Sequence, residues 1–337
     1  MPWQKVDSIV ITNYFQYWKH PLVNKYLDSK QKLTPSEHYE GMLIIKTKGK
    51  PIWISHPFNY TQAKKSIRGV DVKKYDTKKE MKTILKKNCG KVIGFDSRHT
   101  AVSTLRSLKK LIKGKFVDVS KEIENARAIK TPIEIRKVRK AVDETKKVLV
   151  KVVAELKGGE TEEQIMLKIK DLFELRDCET AFCIVAFGKN TANIHHVSTD
   201  KKLEMEMPVM IDCGAKYKGY CADITQSFWF GNKAPKEYSA SREKVKRTLN
   251  NAERAIKTGM KANKLMKSVK ELGNMPHALG HGLGLEEHDP PGAIGERSKW
   301  TLTEGQILAI EPAMYTKRFG IRLEKSFLVK KKCAEEL

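Results

Sequence analysis

The sequence predicts a two-domain chain: a small α/β domain, then an α+β domain in which helices precede a strand-rich stretch. Three observations carry this. A chain of 337 residues is long for one hydrophobic core and comfortable for two. Short apolar runs alternate with polar, helix-like segments up to about residue 125. A sharp helix start at Thr131 then separates that region from one that turns strand-rich beyond about residue 180.

In the first region, GMLIIKTKGKPIWIS (41–55) reads as two strands around a Lys-Gly-Lys-Pro turn, and KVIGF (91–95) as another strand. Strands set between helices imply a largely parallel sheet. Neither a glycine-rich phosphate loop nor a titratable cluster is visible here, so the domain looks chemically silent. Thr131 is placed to cap a helix, Pro132 suits its first position, and Glu134 completes a capping box. Val138, Ala141, Val142, Leu149, Val152, Val153 and Leu156 follow helical spacing until Gly158-Gly159 stop it. Thr161-Glu-Glu-Gln164 opens a second helix with Ile165, Ile169, Leu172 and Phe173 on one face. The boundary falls just before Thr131, giving domains 1–127 and 128–337. No internal repeat is evident.

Composition narrows the function classes. About 40% of the residues are apolar, enough for sizeable cores. No apolar run reaches the length of a membrane span. The opening MPWQKVDSIVITNYFQYW lacks the regions of a secretory signal, so a cytoplasmic protein is expected. The six cysteines form no C-x-x-C pair and read as small hydrophobes or free thiols, with a Cys213–Cys221 bridge as the alternative. A net charge of +25 invites a nucleic-acid reading. The densest basic stretches, Lys78–Lys91, Lys109–Lys115 and Lys330–Lys332, carry no interleaved stacking aromatics, and solvated helix faces account for them. No specific nucleic-acid partner is expected.

Chemistry concentrates late in the chain. VMIDCGAKYKGYCADITQSFWF (209–230) reads as a β-hairpin, and a turn centred between Tyr217 and Lys218 sets Asp212 opposite Asp223. Two like charges so placed are destabilising unless a cation lies between them. A turn shifted by one residue instead leaves both solvated. ILAIEPAMYTKRFGIRLEKSFLV (307–329) repeats the arrangement: a connection centred on Lys317 and Arg318 opposes Glu311 and Glu324, the alternative being an exposed charged strand. Between them lies HALGHGLGLEEHDPP (277–291), whose His281 sits between Gly280 and Gly282 in a position suited to a ligand. Four carboxylates and an imidazole favour Mn²⁺, Fe²⁺, Co²⁺ or Zn²⁺, and bridging carboxylates suit two ions. That is metal-assisted hydrolysis; a serine nucleophile has no G-x-S-x-G context.

The order Asp212, Asp223, His281, Glu311, Glu324, with GHGLGLEEHD (280–289) and GIRLE (320–324), resembles the M24 or pita-bread metallopeptidases. The opening segment resembles the creatinase-type N-terminal domain, and AIKTPIEIRKVRKA (128–141) the entry to the catalytic domain. The resemblance implies a pita-bread domain with a pseudo-twofold, curved, mostly antiparallel sheet. It also implies two divalent metal ions, Mn²⁺ foremost, a homodimer, and proline-containing peptides as substrates. The implied activity is that of an Xaa-Pro dipeptidase. The alternatives are an Xaa-Pro aminopeptidase on longer peptides, a methionine aminopeptidase, and a catalytically silent nucleic-acid or protein binder. By the same resemblance all five ligands hold metal, with Asp223 bridging, and Glu311 shuttles a proton. His288 and His195 bind substrate, with His196 as the alternative to His195. Two departures stand out: Lys325 follows Glu324 where the family often has Asp or Asn, and Gln226 follows Thr225 where it often has Arg. An arginine expected soon after His288 to grip a substrate carboxylate is missing, leaving Arg297 or Arg322 for that role.

Overall fold

The structure, a computed structural model, describes residues 5–13, 19–29, 35–273 and 275–337. It divides into two compact units, Met1–Ala126 and Arg127–Leu337. In chain order the first contains β1 (Ser8–Asn13), α1 (Val23–Tyr26), β2 (Asp28–Ser29), α2 (Pro35–His38), β3 (Gly41–Lys46), β4 (Ile52–Ser55) and α3 (Tyr60–Ser66). There follow β5 (Ile67–Arg68), β6 (Asp71–Lys74), α4 (Lys78–Cys89), β7 (Val92–Phe95), α5 (Val102–Leu111), β8 (Lys115–Asp118) and α6 (Ser120–Ala128).

Six of these strands form one sheet in the order β6-β4-β3-β1-β7-β8. The expected turn after Lys46 does join β3 to β4, and KVIGF supplies β7. The sheet is mixed rather than largely parallel. β4–β6, β1–β7 and β7–β8 run parallel, but β3 is antiparallel to both neighbours because a hairpin reverses it. Apolar residues cover both faces: Ile9, Ile11, Leu43 and Trp53 on one, Val10, Ile44, Leu85 and Leu108 on the other. Lys78, Lys79, Lys82, Lys86 and Lys87 lie exposed along α4, as solvated faces should.

This unit also holds a titratable cluster that no local motif announces. His20 Nε2 and His99 Nδ1 lie 3.3 and 3.0 Å from the same oxygen of buried Asp96. The Leu22 N–H donates to His20 Nδ1 at 3.2 Å, so in the neutral ring Nε2 carries the proton and points it toward Asp96. The two imidazoles form a clasp around one carboxylate oxygen, and they hold the Asp96 carboxyl well below the usual carboxylate range despite its burial.

The second unit opens with α7 (Pro132–Glu155) and α8 (Glu162–Glu174), both started by complete capping boxes, Thr131 with Glu134 and Thr161 with Gln164. Next come β9 (Glu179–Phe187), β10 (Met207–Tyr217), β11 (Tyr220–Cys221), β12 (Ile224–Phe230), α9 (Lys236–Ala255) and α10 (Ala262–Leu265). The remaining strands are β13 (Gly280–Gly282), β14 (Ile307–Ile310), β15 (Ala313–Tyr315), β16 (Gly320–Arg322), β17 (Lys325–Val329) and β18 (Ala334–Glu336). Every strand pairing described in this unit is antiparallel. Among the described residues no helix is long and apolar enough to cross a membrane.

The order of helices then antiparallel sheet occurs twice. Val142, Leu149, Ile165 and Phe173 of α7 and α8 pack on Val209, Ile211 and Cys213 of β10. Val245, Leu249 and Ala262 of α9 and α10 pack on Leu308, Ile310 and Phe327 of β14 and β17. The loops agree: Gly159 and Gly259 take φ of 90° and 88°, and isolated bridges join Thr161 to Lys202 and Lys261 to Thr301. Each helical layer leaves the opposite face of its sheet free for polar groups, and there the carboxylates gather.

Candidate metal centre

The first hairpin departs from its expected register. Lys218 and Gly219, with φ of 47° and 82°, form the two-residue turn, so Tyr217 faces Tyr220. The turn is therefore centred between Lys218 and Gly219, one residue later than expected, and Asp212 faces Thr225, not Asp223. Asp223 falls in the interruption between β11 and β12, diagonal to Asp212. Gly214 permits that interruption, since a Cβ there would lie 1.9 Å from the Ala222 carbonyl oxygen. The same register rules out the Cys213–Cys221 bridge, because Cys221 faces Lys216.

The second hairpin keeps the expected register. Ile310 faces Lys325 and Ala313 faces Arg322, which leaves Glu311 and Glu324 across from each other in the gap between two ladders. His281 enters from β13, where it faces Ala309 of β14. Its glycine neighbours are required by close backbone approach: a Cβ on Gly280 would lie 2.0 Å from the Ala309 carbonyl, and one on Gly282 2.3 Å from that of Asp289.

All five residues line one cavity of about 500 Å³, together with His195, His277, His288, Glu286, Glu287 and Arg322. His281 Nε2 lies 3.5 Å from Asp223, 3.8 Å from Glu311 and 3.9 Å from Glu324. Its Nδ1 sits 3.1 Å from the Gly282 carbonyl, so the neutral ring donates there and aims its Nε2 lone pair at three carboxylates. Burial holds His281 neutral, lowering it to about 4. Burial, with Glu324 and Asp212 nearby, pushes Asp223 well above the usual carboxylate range. Burial and Glu324 do the same to Glu311, against the pull of Arg322, and burial with Asp212 lifts Glu324 to about 7. Asp212 Oδ1 is buried without a hydrogen-bond partner. A lone pair facing carboxyl oxygens, three carboxyls pushed above their usual range and an orphaned carboxylate oxygen are the marks of missing positive charge. Asp223, His281 and Glu324 already place ligand atoms within 4.8 Å of one another. The donor set therefore fits divalent cations.

Of the two adjacent histidines, His195 is exposed on the cavity, whereas His196 is bound 2.7 Å from buried Glu162. His288 stacks on His281 with ring centroids 4.0 Å apart. Its neighbour Asp289 is buried against Arg127 and Lys130, which pins the loop that presents His288. The two candidate clamps are placed differently. Arg322 is 2% exposed and donates to Asp212 at 2.5 Å, to the Tyr315 hydroxyl at 2.8 Å, and to Thr225 and the Ile194 carbonyl. It thus holds Asp212 and the segment before His195 while lining the cavity. Arg297 is exposed and does not line the cavity.

Sequence reasoning missed His277 and Tyr315. His277 Nε2 meets the Tyr315 hydroxyl at 3.0 Å, and that hydroxyl also receives Arg322. His277 was visible as a third histidine four residues before His281; Tyr315 carried no signal, since its contacts are long-range. The two departures lie off the site: Lys325 pairs with Glu336 at 2.7 Å and Gln226 is exposed.

Similarity to known proteins points the same way. An Xaa-Pro dipeptidase of Pyrococcus furiosus is 33% identical over 235 residues, which are 66% of this chain and 66% of that one. The prolidase structure from Pyrococcus furiosus superposes with a TM-score of 0.82 at 27% identity, covering 98% of this chain and 96% of that chain. The X-Pro aminopeptidase structure from Thermotoga maritima gives a TM-score of 0.86 at 25% identity, covering 98% and 95%. A creatinase/prolidase N-terminal domain matches residues 26–129, and metallopeptidase family M24 matches residues 136–331. With that match spanning more than half of its length, the chain belongs to metallopeptidase family M24.

Proposed function

We propose that this protein hydrolyses the peptide bond preceding proline as an Xaa-Pro dipeptidase, using two divalent cations held by Asp212, Asp223, His281, Glu311 and Glu324. The observation that carries the reading is the convergence of these five groups on one cavity with too little positive charge. Relatives named as Xaa-Pro dipeptidase and prolidase support the substrate class. Mn²⁺ is the proposed ion, the cytoplasm the proposed location, a homodimer the proposed assembly and residues 128–337 the proposed catalytic domain.

When bound, the cations supply Lewis acidity to the attacking water and the scissile carbonyl. The protein's own groups do the rest. Glu311, the most accessible of the buried carboxylates at 17% side-chain exposure, takes the proton of the attacking water and returns it to the proline nitrogen as that amine leaves. The nitrogen of the tetrahedral intermediate leaves as an amine only after it gains a proton, so this delivery is needed for departure. His195 and His288, exposed on the cavity, hold the substrate and stabilise charge developing on the carbonyl oxygen. Phe182, Ile184 and Ile194 offer an apolar wall for the proline ring.

One observation favours a second reading, an Xaa-Pro aminopeptidase on longer peptides. Arg322 is the one Arg or Lys among the residues lining the cavity, and it already pairs with Asp212. A dipeptide carboxylate needs a cation; an internal proline does not. Protein loaded with Mn²⁺ should be offered Xaa-Pro, Xaa-Pro-Yaa and Met-Ala peptides side by side. Cleavage of the dipeptide supports the first reading, preference for the tripeptide establishes the second, and no hydrolysis with metal demonstrably bound sinks both.

A further inference from the structure

The strand that carries Asp212 also carries Cys213, and Cys213 directly faces Cys183 of β9. The surrounding hydrogen bonds define what kind of pair this is. The N–H and C=O of Val185 both bond to Ser198 Oγ, and the N–H of Phe187 bonds to Glu162. Alternate residues of β9, from Phe187 back through Val185, thus turn their backbone polar groups away from β10. Cys183 continues that series, so Cys183 and Cys213 form a non-hydrogen-bonded pair. Such pairs bring Cα atoms to about 4.5 Å, inside the roughly 4.4–6.8 Å that a disulfide spans. Both side chains lie on the core face of the sheet with α7 and α8. Cys213 is fully buried, while Cys183 is partly exposed and so within reach of a small oxidant. The other cysteines are differently placed: Cys221 is turned to the Leu285 carbonyl, and Cys178 to that of Arg176.

We propose that Cys183 and Cys213 are an oxidisable cross-strand dithiol, a disulfide modification site built into the sheet directly behind the metal-binding face. The oxidant is a hydroperoxide. The Cys183 sulfur attacks its terminal oxygen, the O–O bond breaks, and the departing oxygen takes up the thiol proton. Cys183 becomes a sulfenic acid. The Cys213 sulfur then attacks the Cys183 sulfur, the S–O bond breaks, and water leaves with the Cys213 proton. Two S–H bonds are exchanged for one S–S bond, and the peroxide is reduced by two electrons. The bridge staples β9 to β10 next to Asp212 and closes the chain between residues 183 and 213. This inference rests on register and contact, and stands whether or not the peptidase reading holds.

The test uses the full chain, reduced, freed of metal with a chelator, and treated with hydrogen peroxide. Free thiols are then blocked in denaturant and the digest mapped without reduction. Two of the six thiols should disappear, the linked peptides should contain Cys183 and Cys213, and the oxidised protein should melt several degrees above the reduced one. Cys183→Ser, at the partly exposed position, should retain the fold and lose the linked pair. Cys213→Ser should leave Cys183 as a sulfenic acid that dimedone traps. Persistence of both thiols after oxidation overturns the proposal, as does a bridge mapping to any other pair, Cys213–Cys221 included.

Discussion

The two carboxylate-bearing hairpins treat their charges unequally. In the first, Asp212 is ion-paired to Arg322 at 2.5 Å, while Asp223 has anionic neighbours and lies 3.5 Å from an imidazole nitrogen that carries no proton. In the second, Glu324 accepts a hydrogen bond of 2.6 Å from Thr225, and Glu311 has imidazole nitrogens at 3.7 and 3.8 Å and the field of Arg322. The compensating groups are exchanged: Arg322, from the second hairpin, serves Asp212, and Thr225, from the first, serves Glu324. The backbone repeats the exchange, with Glu324 N–H donating to the Thr225 carbonyl at 3.0 Å. One carboxylate thus has a guanidinium on one of its two oxygens, while the other three pair with no Lys or Arg among the described residues, and the stitching couples the two sets.

The largest break in that asymmetry comes from removing one of those three carboxylates. Asp223→Asn should lower kcat/KM on an Xaa-Pro peptide by at least about 10³-fold, roughly 4 kcal/mol of transition-state stabilisation. The circular dichroism spectrum should not change, because burial already favours the neutral side chain. Retained turnover would remove Asp223 from the centre. Removing the guanidinium from the Asp212 pair should instead damage the fold. Arg322→Met strands Asp212 in a buried site and should cost about 3–5 kcal/mol in urea unfolding of metal-free protein. An unfolding midpoint that stays put would show that the pair is not holding the hairpins together.

The set of three has a pH signature. The Glu324 carboxyl rises from its ordinary 4.5 to about 7 in the folded protein, through burial and Asp212. A group raised on folding stabilises fully below its unfolded value and loses that contribution as pH rises through the folded one. In chelator, wild type should therefore lose stability relative to Glu324→Gln between about pH 4.5 and 7, by up to about 3 kcal/mol. His281, lowered to about 4, pulls oppositely in both proteins, so the comparison reads Glu324 together with its hold on Asp223 and Glu311, which it helps push up. Saturating Mn²⁺ should reverse the order, since only wild type gains the full binding energy. A difference that ignores pH would show that Glu324 ionises freely without metal.

Much of this centre was legible because local rules were enough. Both capping boxes and the register of the second hairpin follow from nearest-neighbour chemistry, and the five candidate residues do line one cavity. The first hairpin slipped because Lys218 adopts a left-handed φ of 47°, a role that asparagine or aspartate would have advertised. The doubled architecture was implied by the family resemblance and by the paired hairpins, but no repeat showed in the helices and loops, for a related reason: Gly159 and Gly259 keep their backbone shape, and Thr161 and Lys261 their bridges, while the side chains around them diverged. The His20–Asp96, Arg322–Asp212 and His277–Tyr315 contacts join residues far apart in the chain, and no spacing rule reaches them.

The smallest expected effect concerns the two residues where the sequence departs from its family. On sequence alone, Lys325 beside a ligand and Gln226 beside Thr225 look like losses of ligand-orienting groups. In the fold, Lys325 reaches Glu336 on β18 and Gln226 faces solvent, while the orienting work falls to Thr225 and Arg322. Lys325→Asn should therefore change kcat/KM by less than about twofold, and remove at most about 1 kcal/mol with its half-exposed ion pair. Thr225→Val, by contrast, takes a hydrogen bond from a buried carboxylate and should weaken Mn²⁺ binding by about 10–100-fold. If calorimetry placed the larger loss on Lys325→Asn, the stitching between the hairpins would not be what orients the ligands.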